Sequence, residues 1–176
     1  STQKYRKYYG GIMKVIALNG SARGKKGVTW KLQESFLQGI TEGGAQSHNI
    51  QLRDLSISCC TACLTCMHKT PGNCAIKDDM DTIYPHFKDS DIFVMATPVY
   101  VDTMSAQMKA VMDRCICCLD PFLRVDAADR VRHPFSWTMP AKFFLISTSG
   151  FPEPESFIPL IQTFRAQAAN FGCDPV

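Results

Sequence analysis

The stretch MKVIALNGS, residues 13–21, decides the fold. Its apolar run is short and almost continuous, which is typical of a central parallel strand that is buried on both faces. The run ends in asparagine, glycine and serine, so a loop follows the strand directly. Leu32, Phe36 and Ile40 then recur at four-residue steps with two glycines beyond, and this pattern predicts a helix over residues 29–40. The chain therefore opens with a strand–loop–helix unit.

Strand and helix patterns continue to alternate along the chain. Alternation of this kind implies parallel βαβ units with right-handed crossovers, hence an α/β fold with an open, doubly wound sheet and its ligand site at the carboxyl ends of the strands. A fifth strand is expected after Gly172-Cys173, and the sequence leaves open whether it is missing or the sheet edge is supplied otherwise. The other predicted strands are Ile50–Leu52, Ile92–Thr97 and Phe143–Ile146, and the other predicted helices are Met80–Phe87 (capped by Asp78-Asp79 and kinked or shortened by Pro85), Ser105–Leu119 and Phe157–Phe171.

Length and cysteine content bound the class of protein. A chain of 176 residues is one ordinary domain that folds without disulfide staples. Nine cysteines would suit a small secreted domain, but no apolar signal segment and no run of about 20 apolar residues is present. We therefore expect a cytoplasmic protein that does not enter a membrane.

The formal charge of +3 comes from the first twelve residues, where Lys4, Arg6 and Lys7 have no acidic counterpart. The rest of the chain is electrically balanced, which argues against a nucleic-acid partner. Residues 1–12 are interpreted as an extension or an expression remnant before Met13, and residues 13–176 as the folded domain.

Four thiols fall within fifteen residues at Cys60, Cys63, Cys66 and Cys74. Two overlapping Cys-x-x-Cys units followed by a more distant cysteine match the ligation of a [4Fe–4S] cluster. Zinc fits less well, because structural zinc sites draw on two separated knuckles or on histidine. Cysteines that only pack, or a redox-active pair without metal, remain the alternatives.

The loop over residues 19–29 can hold a phosphate. Hydroxyls of Ser21 and Thr29, the Arg23 guanidinium and N–H groups at the helix start can converge on a dianion. Neither the Walker order nor the dinucleotide fingerprint is present. A flexible glycine-containing turn is the alternative interpretation.

Two later segments, TPVYVDTMS at 97–105 followed by Asp113-Arg114, and STSGFPE at 147–153, complete a family pattern with this loop. Residues 13–176 resemble the flavodoxin-fold, NADPH-dependent FMN reductase-like family. The cysteine loop at 59–74, followed by Asp78-Asp79-Met80, makes the iron–sulfur flavoprotein branch the nearest match. The resemblance implies a flavodoxin-like sheet with helices on both faces.

The resemblance also implies an FMN site. Ser21, Arg23 and Thr29 would hold the phosphate, and Val28 stands where the family often has asparagine, so that only its backbone N–H contributes. An aromatic residue or glycine is more usual at the position of Asp102, and its carboxylate near the ring would disfavour an anionic reduced flavin. The residues expected beside the ribityl chain and the ring are Pro98, Val99, Tyr100, Val101, Ser149 and Gly150.

Three functions follow from this pattern. The first is an electron-transfer flavoprotein that passes electrons between a [4Fe–4S] cluster and FMN to a small acceptor, with a ferredoxin-type donor. The second is a cluster-free reductase of FMN or a quinone with NAD(P)H as co-substrate, and the third is a non-catalytic flavin or thiol sensor. The family packs flavin near subunit contacts, and a surplus apolar stripe of Met104, Met108 and Met112 predicts a homo-oligomer.

Two remaining segments are interpreted as structural. Cys115, Cys117 and Cys118 are expected to pack as small core residues. The mixed-charge segment Arg124–His133 is expected to be a solvated loop.

Overall fold

The computed structural model describes residues 11–125 and 129–176. The predicted extension at 1–12 therefore lies outside the described residues apart from Gly11 and Ile12. The strands and helices, in chain order, are β1 (Lys14–Asn19), α1 (Val28–Glu42), β2 (Gln46–Gln51), α2 (Thr65–His68), α3 (Met80–Asp89), β3 (Ile92–Pro98), α4 (Ala106–Arg114), β4 (Arg124–Val125), β5 (Val131–Arg132), β6 (Lys142–Thr148), α5 (Ile158–Phe171) and β7 (Asp174–Pro175).

Five parallel strands form the main sheet in the order β2-β1-β3-β6-β7. This is the flavodoxin-like strand order, in which the sheet is wound in both directions from its centre. Val15 to Leu18 of β1 are completely buried, as the opening run of the sequence predicts. The predicted fold class is confirmed.

Helices cover both faces of the sheet because alternate strand residues point to opposite sides. Val15, Ala17 and Val94 pack with Leu37 of α1 on one face. On the other face, α3, α4 and α5 cover a core in which the Phe93 and Phe143 rings stack with 4.5 Å between centroids. Burying each such side chain contributes about 1.5–3 kcal/mol, so this apolar face supplies much of the driving force for folding.

The fifth strand, whose presence the sequence left open, is present as the two-residue β7. Asp174 pairs with Lys142 and Pro175 with Phe143, both in parallel register. The Val176 N–H donates to the Phe143 carbonyl at 2.8 Å, which extends the ladder by one bond.

Two predicted segments differ from the structure. The long helix over 105–119 is α-helical only to Arg114 and tightens into a 3-10 turn at Cys115–Cys118, a common way for a helix to end. Segment 124–133 contains a short antiparallel hairpin instead of an unpaired loop, with Val125 opposite Val131 on either side of the undescribed residues 126–128. The cysteines of the 3-10 turn are buried, which confirms their interpretation as core residues.

The methionine stripe does not offer a free surface. Met104, Met108 and Met112 are 3%, 0% and 6% exposed and belong to the chain's own core. An apolar stripe in sequence does not reveal what covers it, and here the chain's own buried residues pack against it. The prediction that this stripe offers surplus apolar surface, on which the expected homo-oligomer partly depended, is therefore wrong.

The predicted helix after Asp78-Asp79 is α3, with Pro85 inside it. Asp79 occupies the N-cap position, but its carboxylate accepts the Ser56 N–H at 2.7 Å instead of capping the helix. Asp78 accepts the Met80 N–H at 3.1 Å. None of the helices within residues 11–125 and 129–176 combines the length and apolar character of a transmembrane span.

Candidate functional site

The loop after β1 is held in place from beneath by a buried amide network. Asn19 is fully buried, its Oδ1 accepts the Ser21 N–H at 2.9 Å, and its Nδ2 donates to Gln33 Oε1 at 2.5 Å. Gln33 in turn donates to Asn49 Oδ1 at 3.1 Å. Since buried amides rigidify a site when they are fully bonded, the network fixes where Ser21 presents its hydroxyl.

Two glycines in this loop leave no room for a side chain. A Cβ on Gly27 would lie 2.7 Å from Ser21 Oγ. Gly24 adopts a φ of +53°, and Arg53 lies across it while donating from Nη1 to the Ala22 carbonyl at 2.9 Å. A side chain at either position would displace Ser21 or Arg53, so this loop conformation depends on glycine.

The start of α1 leaves N–H donors free of side-chain caps. Its N-cap is Gly27, which has no side chain to accept from the first turn. The first N–H groups of a helix have no intrahelical partner, and together with the helix dipole they favour an anion. Arg23 is exposed beside this helix start, so donors and positive charge meet at the same place.

A cavity of about 440 Å³ opens above this loop, at the carboxyl ends of β1, β3 and β6. This is the point where the winding of the sheet reverses and where such sheets bind ligands. Nine of the ten residues predicted to contact FMN line it. The lining residues are Ser21, Arg23, Gly27, Val28, Thr29, Pro98, Val99, Tyr100, Thr148, Ser149 and Gly150.

Gly27 and Thr148 are lining residues that the sequence interpretation missed. Thr148 ends β6 and lies opposite Pro98 in the parallel register, which brings it beside the predicted Ser149. Its hydroxyl lies 2.8 Å from the Thr29 hydroxyl. The signal in the sequence was the run of hydroxyl residues that ends the predicted fourth strand.

Val101, the tenth predicted contact, is not part of the cavity wall. It lies at the tip of a tight turn in which the Tyr100 N–H donates to the Thr103 carbonyl at 2.9 Å. Val101 and Asp102 both have positive φ, at 46° and 63°, and Val101 is 95% exposed. A β-branched residue in this region is strained by about 1–3 kcal/mol, and such strain clusters at ligand sites.

The cavity therefore fits FMN by its donors and its walls. Hydroxyls, uncapped N–H groups and a guanidinium lie at one end, which suits a phosphate. Pro98, Val99 and Val28 supply apolar wall for a ring. Asp102 is exposed and is not a wall residue, so the predicted effect of its carboxylate on the flavin lacks a contact within the described residues.

The cysteine loop is built from turns that direct N–H groups and hydroxyls at sulfur. Ala62 and Leu64 both have positive φ, and the Ala62 N–H donates to Cys60 Sγ at 3.5 Å. The hydroxyl and N–H of Thr65, followed by the hydroxyl of Thr61, lower the pKa of Cys63. Donors of this kind stabilise sulfur ligands, so the loop fits an iron–sulfur cluster by its donor set.

The other two predicted ligands are less exposed. Cys66 is buried and Cys74 is half-buried. Burial, reinforced by the charges of Cys117, Cys74 and Cys63, raises the pKa of Cys66. Among the residues that the structure describes, no three His, Cys, Asp or Glu side chains already converge on a point where they could hold a metal ion.

Cys117 is a neighbour of this loop that the sequence interpretation assigned only to the core. It is fully buried, and a hydrogen bond from the Cys118 thiol, aided by the Tyr84 hydroxyl and the charge of Arg114, lowers its pKa to about 7 against the opposing effect of burial. No spacing in the sequence marks it, because it follows the cysteine loop by more than forty residues.

The two sites lie at opposite ends of α4. Ser105, at the start of this helix, donates its N–H to Thr97 Oγ1 at 3.0 Å beside the cavity, whereas Arg114 at its end donates to the Ser58 carbonyl at 3.0 Å. A helix of this length spans about 13 Å. After β2 the chain runs back beside α4 before the cysteines begin.

The chain is similar in sequence to known proteins. The family model for NADPH-dependent FMN reductase matches residues 13–146. An iron–sulfur flavoprotein of Methanocaldococcus jannaschii is 38% identical over 102 residues, which are 58% of this chain and 51% of that protein. An iron–sulfur flavoprotein of Archaeoglobus fulgidus is 42% identical over 102 residues, which are 57% of this chain and 50% of that protein. The chain thus spans about half the length of these relatives.

Solved structures share the fold at low sequence identity. An FMN-dependent NADH-azoreductase from Bacillus anthracis in complex with FMN matches with a TM-score of 0.66 at 14% identity, over 93% of this chain and 84% of that one. An NAD(P)H:quinone oxidoreductase from Methanothermobacter marburgensis matches with a TM-score of 0.67 at 13% identity. The match covers 94% of this chain and 81% of that one. Because the family model covers more than half of its residues, the chain belongs to the NADPH-dependent FMN reductase family.

Proposed function

We propose that this protein is an electron-transfer flavoprotein that holds FMN in the cavity above the β1 loop and a [4Fe–4S] cluster in the cysteine loop. The observation that carries the proposal is the cavity itself, where nine residues expected from the family pattern meet at the carboxyl ends of three parallel strands. The relatives named iron–sulfur flavoproteins support the second group. FMN exchanges electrons singly or in pairs and the cluster exchanges them singly, so together they link one-electron and two-electron partners.

The protein's own residues bind and orient the flavin. Arg23 and the free N–H groups at the start of α1 neutralise the phosphate, and the hydroxyls of Ser21 and Thr29 fix its direction. Val99 and Pro98 form the cavity wall beside the flavin ring and exclude water there. The Thr29–Thr148 hydroxyl pair joins the two loops that flank the cavity, so the site is formed before the ligand enters.

The cysteine loop supplies Cys60, Cys63, Cys66 and Cys74 as ligands. Cys60 and Cys63 lie on strained turns that present N–H groups and hydroxyls to sulfur, while Cys66 and Cys74 face the interior. Four thiolates repel one another, and a bound cationic cluster core offsets that repulsion. A ferredoxin-type donor and a small acceptor are the proposed partners. The nine free cysteines suit a reducing cytoplasm, and homo-oligomerisation remains part of the proposal.

A cluster-free reductase of FMN or a quinone with NAD(P)H as co-substrate is the second candidate. It is favoured by the lack of a convergent metal-binding group among the described residues, together with the exposure of Cys63. A thiol sensor without turnover is the third, since Cys63 is exposed and has a lowered pKa, as expected of a thiol that oxidises readily.

An absorption spectrum of anaerobically purified protein, with iron and acid-labile sulfide assays, separates these candidates. The proposal expects FMN together with four iron and four sulfide per chain, by the composition of the cluster. Cys66→Ala should lose iron and keep FMN, whereas Cys59→Ala, the matched neighbour outside the ligand series, should keep both. FMN without iron after reconstitution would favour the second candidate, and failure to reduce any acceptor in steady state would favour the third.

A further inference from the structure

Arg114 carries a charge into the interior. Its side chain is 0% exposed, and the carboxylate that pairs with it, Asp78, is 10% exposed. A buried guanidinium is costly unless its donors are satisfied by charge and by hydrogen bonds. The contacts of Arg114 therefore indicate which segments of the chain its charge holds in place.

Four hydrogen bonds join Arg114 to both stems of the cysteine loop. On the side that precedes the cysteines, Nη1 donates to the Ser58 carbonyl at 3.0 Å. On the side that follows them, Nη2 donates to the Ile76 carbonyl at 3.2 Å. The same two nitrogens form a fork with Asp78, at 2.9 Å to Oδ2 and 3.3 Å to Oδ1. One side chain thus bridges the residues on either side of the thiols.

Asp78 completes the bridge from the other direction. Its Oδ2 also accepts the Ser58 N–H at 2.8 Å, so Asp78 and Arg114 both form hydrogen bonds with Ser58. Although burial opposes it, hydrogen bonds from Arg114 and Ser58 lower the pKa of Asp78. Asp79 adds a second tie, because its N–H donates to the Ser56 carbonyl at 3.3 Å while its carboxylate accepts from Ser56.

The remaining donor of Arg114 is unused. Its Nε is buried and has no hydrogen-bond partner among the described residues. Orphaned buried donors are rare in native proteins, and each calls for an explanation such as an ordered water or a bound group. Cys74, one of the proposed ligands, lies two residues before Ile76, whose carbonyl the guanidinium contacts.

We propose that Arg114 is a positioning residue for the cysteine loop, which ties the two stems of the loop together through Ser58, Ile76 and Asp78 and keeps its Nε–H for a sulfur of the loop. Closing a loop of this length costs conformational entropy. The hydrogen bonds of Arg114 offset that cost already in the iron-free protein. Lysine cannot replace it, because an ammonium group lacks the planar fork that reaches Asp78 and two carbonyls at once.

The stem-tying role does not depend on the proposed cluster and is tested in iron-free protein by amide hydrogen exchange. In Arg114→Lys we expect exchange over residues 55–78 to accelerate by about tenfold to a hundredfold, which is the loss of a hydrogen bond to a charged group. FMN affinity should remain unchanged, since the cavity lies at the other end of α4. Lys109→Ala, which removes an exposed ion pair with Asp113 on the same helix, is the matched control and should leave this segment unchanged.

Asp78→Asn provides a second test that does not depend on the folding of the lysine variant. It keeps an acceptor for Ser58 and weakens the fork, so the same segment should exchange faster in it. Unchanged exchange over residues 55–78 in Asp78→Asn would overturn the proposal, as would unchanged exchange in an Arg114→Lys variant that binds FMN.

The role of Nε rests on the proposed cluster and is tested separately by redox titration. Loss of a donor to sulfur should move the midpoint potential of the cluster in Arg114→Lys to lower values, whereas a purely structural role would leave the potential unchanged. A wild-type protein without iron would refute the cluster and with it the role of Nε, while the exchange result would still decide whether Arg114 ties the stems.

Discussion

The hydroxyl oxygens of Thr29 and Thr148 lie 2.8 Å apart, although the two residues are separated by 119 positions in the chain. Thr29 belongs to the first turn of α1, and Thr148 is the last residue of β6. The contact closes the cavity between the loop after β1 and the loop after β6. One of the two hydroxyls donates its proton in this contact, and the one that accepts still has its own proton to donate to a ligand.

Thr148→Val tests whether this contact contributes to ligand binding. Valine keeps the shape but cannot hold the Thr29 hydroxyl, so the dissociation constant for FMN should rise about fivefold, which corresponds to about 1 kcal/mol for one hydrogen bond. Fluorescence titration measures it. Thr163→Val, which removes an exposed threonine hydroxyl on α5, is the control and should bind FMN as the wild type does. Equal affinity in both variants would contradict the assignment of Thr148.

Arg23→Ala tests the phosphate end of the cavity. Loss of a charge-assisted contact of about 1.5–3 kcal/mol should weaken FMN binding by roughly tenfold to a hundredfold. Riboflavin lacks the phosphate and should bind the variant and the wild type about equally. Lys31→Ala removes an exposed cation from α1 outside the cavity and serves as the charge control. A variant that loses affinity for riboflavin as strongly as for FMN would argue for a general loss of folding.

Gly27→Ala tests the close approach in the loop after β1. The backbone of Gly27 suits alanine, with φ −82° and ψ 149°, so only space is at issue. The new methyl group would lie 2.7 Å from Ser21 Oγ and must displace it. Overpacking of this kind costs about 1–3 kcal/mol, and FMN affinity should fall because Ser21 moves.

Gly39→Ala is the matched control for that experiment. Gly39 lies within α1, and a Cβ there meets no atom within 4 Å. Alanine should therefore stabilise the protein by about 0.4–1 kcal/mol and leave FMN binding unchanged. Urea unfolding and titration distinguish the two variants, and a stabilised Gly27→Ala with normal affinity would show that the loop can relax.

The neighbouring imidazoles of His48 and His86 predict a pH dependence of stability. Their ring centroids lie 4.1 Å apart, and burial followed by the charge of His48 lowers the pKa of His86, while Asp89 acts in the opposite sense. The unfolded chain then binds more protons than the folded chain between the folded pKa and the ordinary value of about 6.5. Stability should therefore fall as pH is lowered through that window and level off below it.

His86→Gln removes the titrating group, so the loss of stability as the pH falls below about 6.5 should shrink. His48→Gln keeps the effect of burial and removes only the charge, so it should give an intermediate slope. The urea unfolding midpoint at several pH values measures both. Identical slopes in His86→Gln and wild type would show that another group is responsible.

The parts of the structure that the sequence predicted are those with a local pattern. The run Val15–Leu18 is apolar without interruption because both of its faces are covered, and such a run identifies a central strand without any knowledge of its neighbours. The loop at 19–29 could be assigned to a phosphate because its hydroxyls, arginine and helix start are adjacent in sequence. Ser21, Arg23 and Thr29 follow from that short-range signal, whereas the other cavity residues that were expected, such as Pro98 and Ser149, were implied by the family resemblance.

The parts that the sequence did not predict depend on which distant segments meet. Thr148 becomes a cavity residue only when β6 lies beside β3, and Arg114 becomes a bridge only when the segments at 58 and 76–78 reach the end of α4. The methionine stripe shows the converse error. Its apolar pattern is equally consistent with a subunit contact and with the chain's own core, and only the tertiary structure distinguishes the two.

The burial of Asn19 has a consequence for the chemical lifetime of the protein. Asparagine before glycine is the dipeptide most prone to deamidation, in which the glycine nitrogen attacks the side-chain amide and ammonia leaves. Here the Gly20 N–H donates to the Ala96 carbonyl at 2.8 Å, and both amide atoms of Asn19 are hydrogen-bonded as well. In the folded chain these hydrogen bonds hold the Gly20 nitrogen away from the Asn19 side-chain amide. We therefore expect deamidation at Asn19 only in unfolded molecules. An aspartate formed there would place a negative charge directly beneath the loop assigned to the phosphate, so each excursion to the unfolded state carries a risk of permanently losing the cofactor.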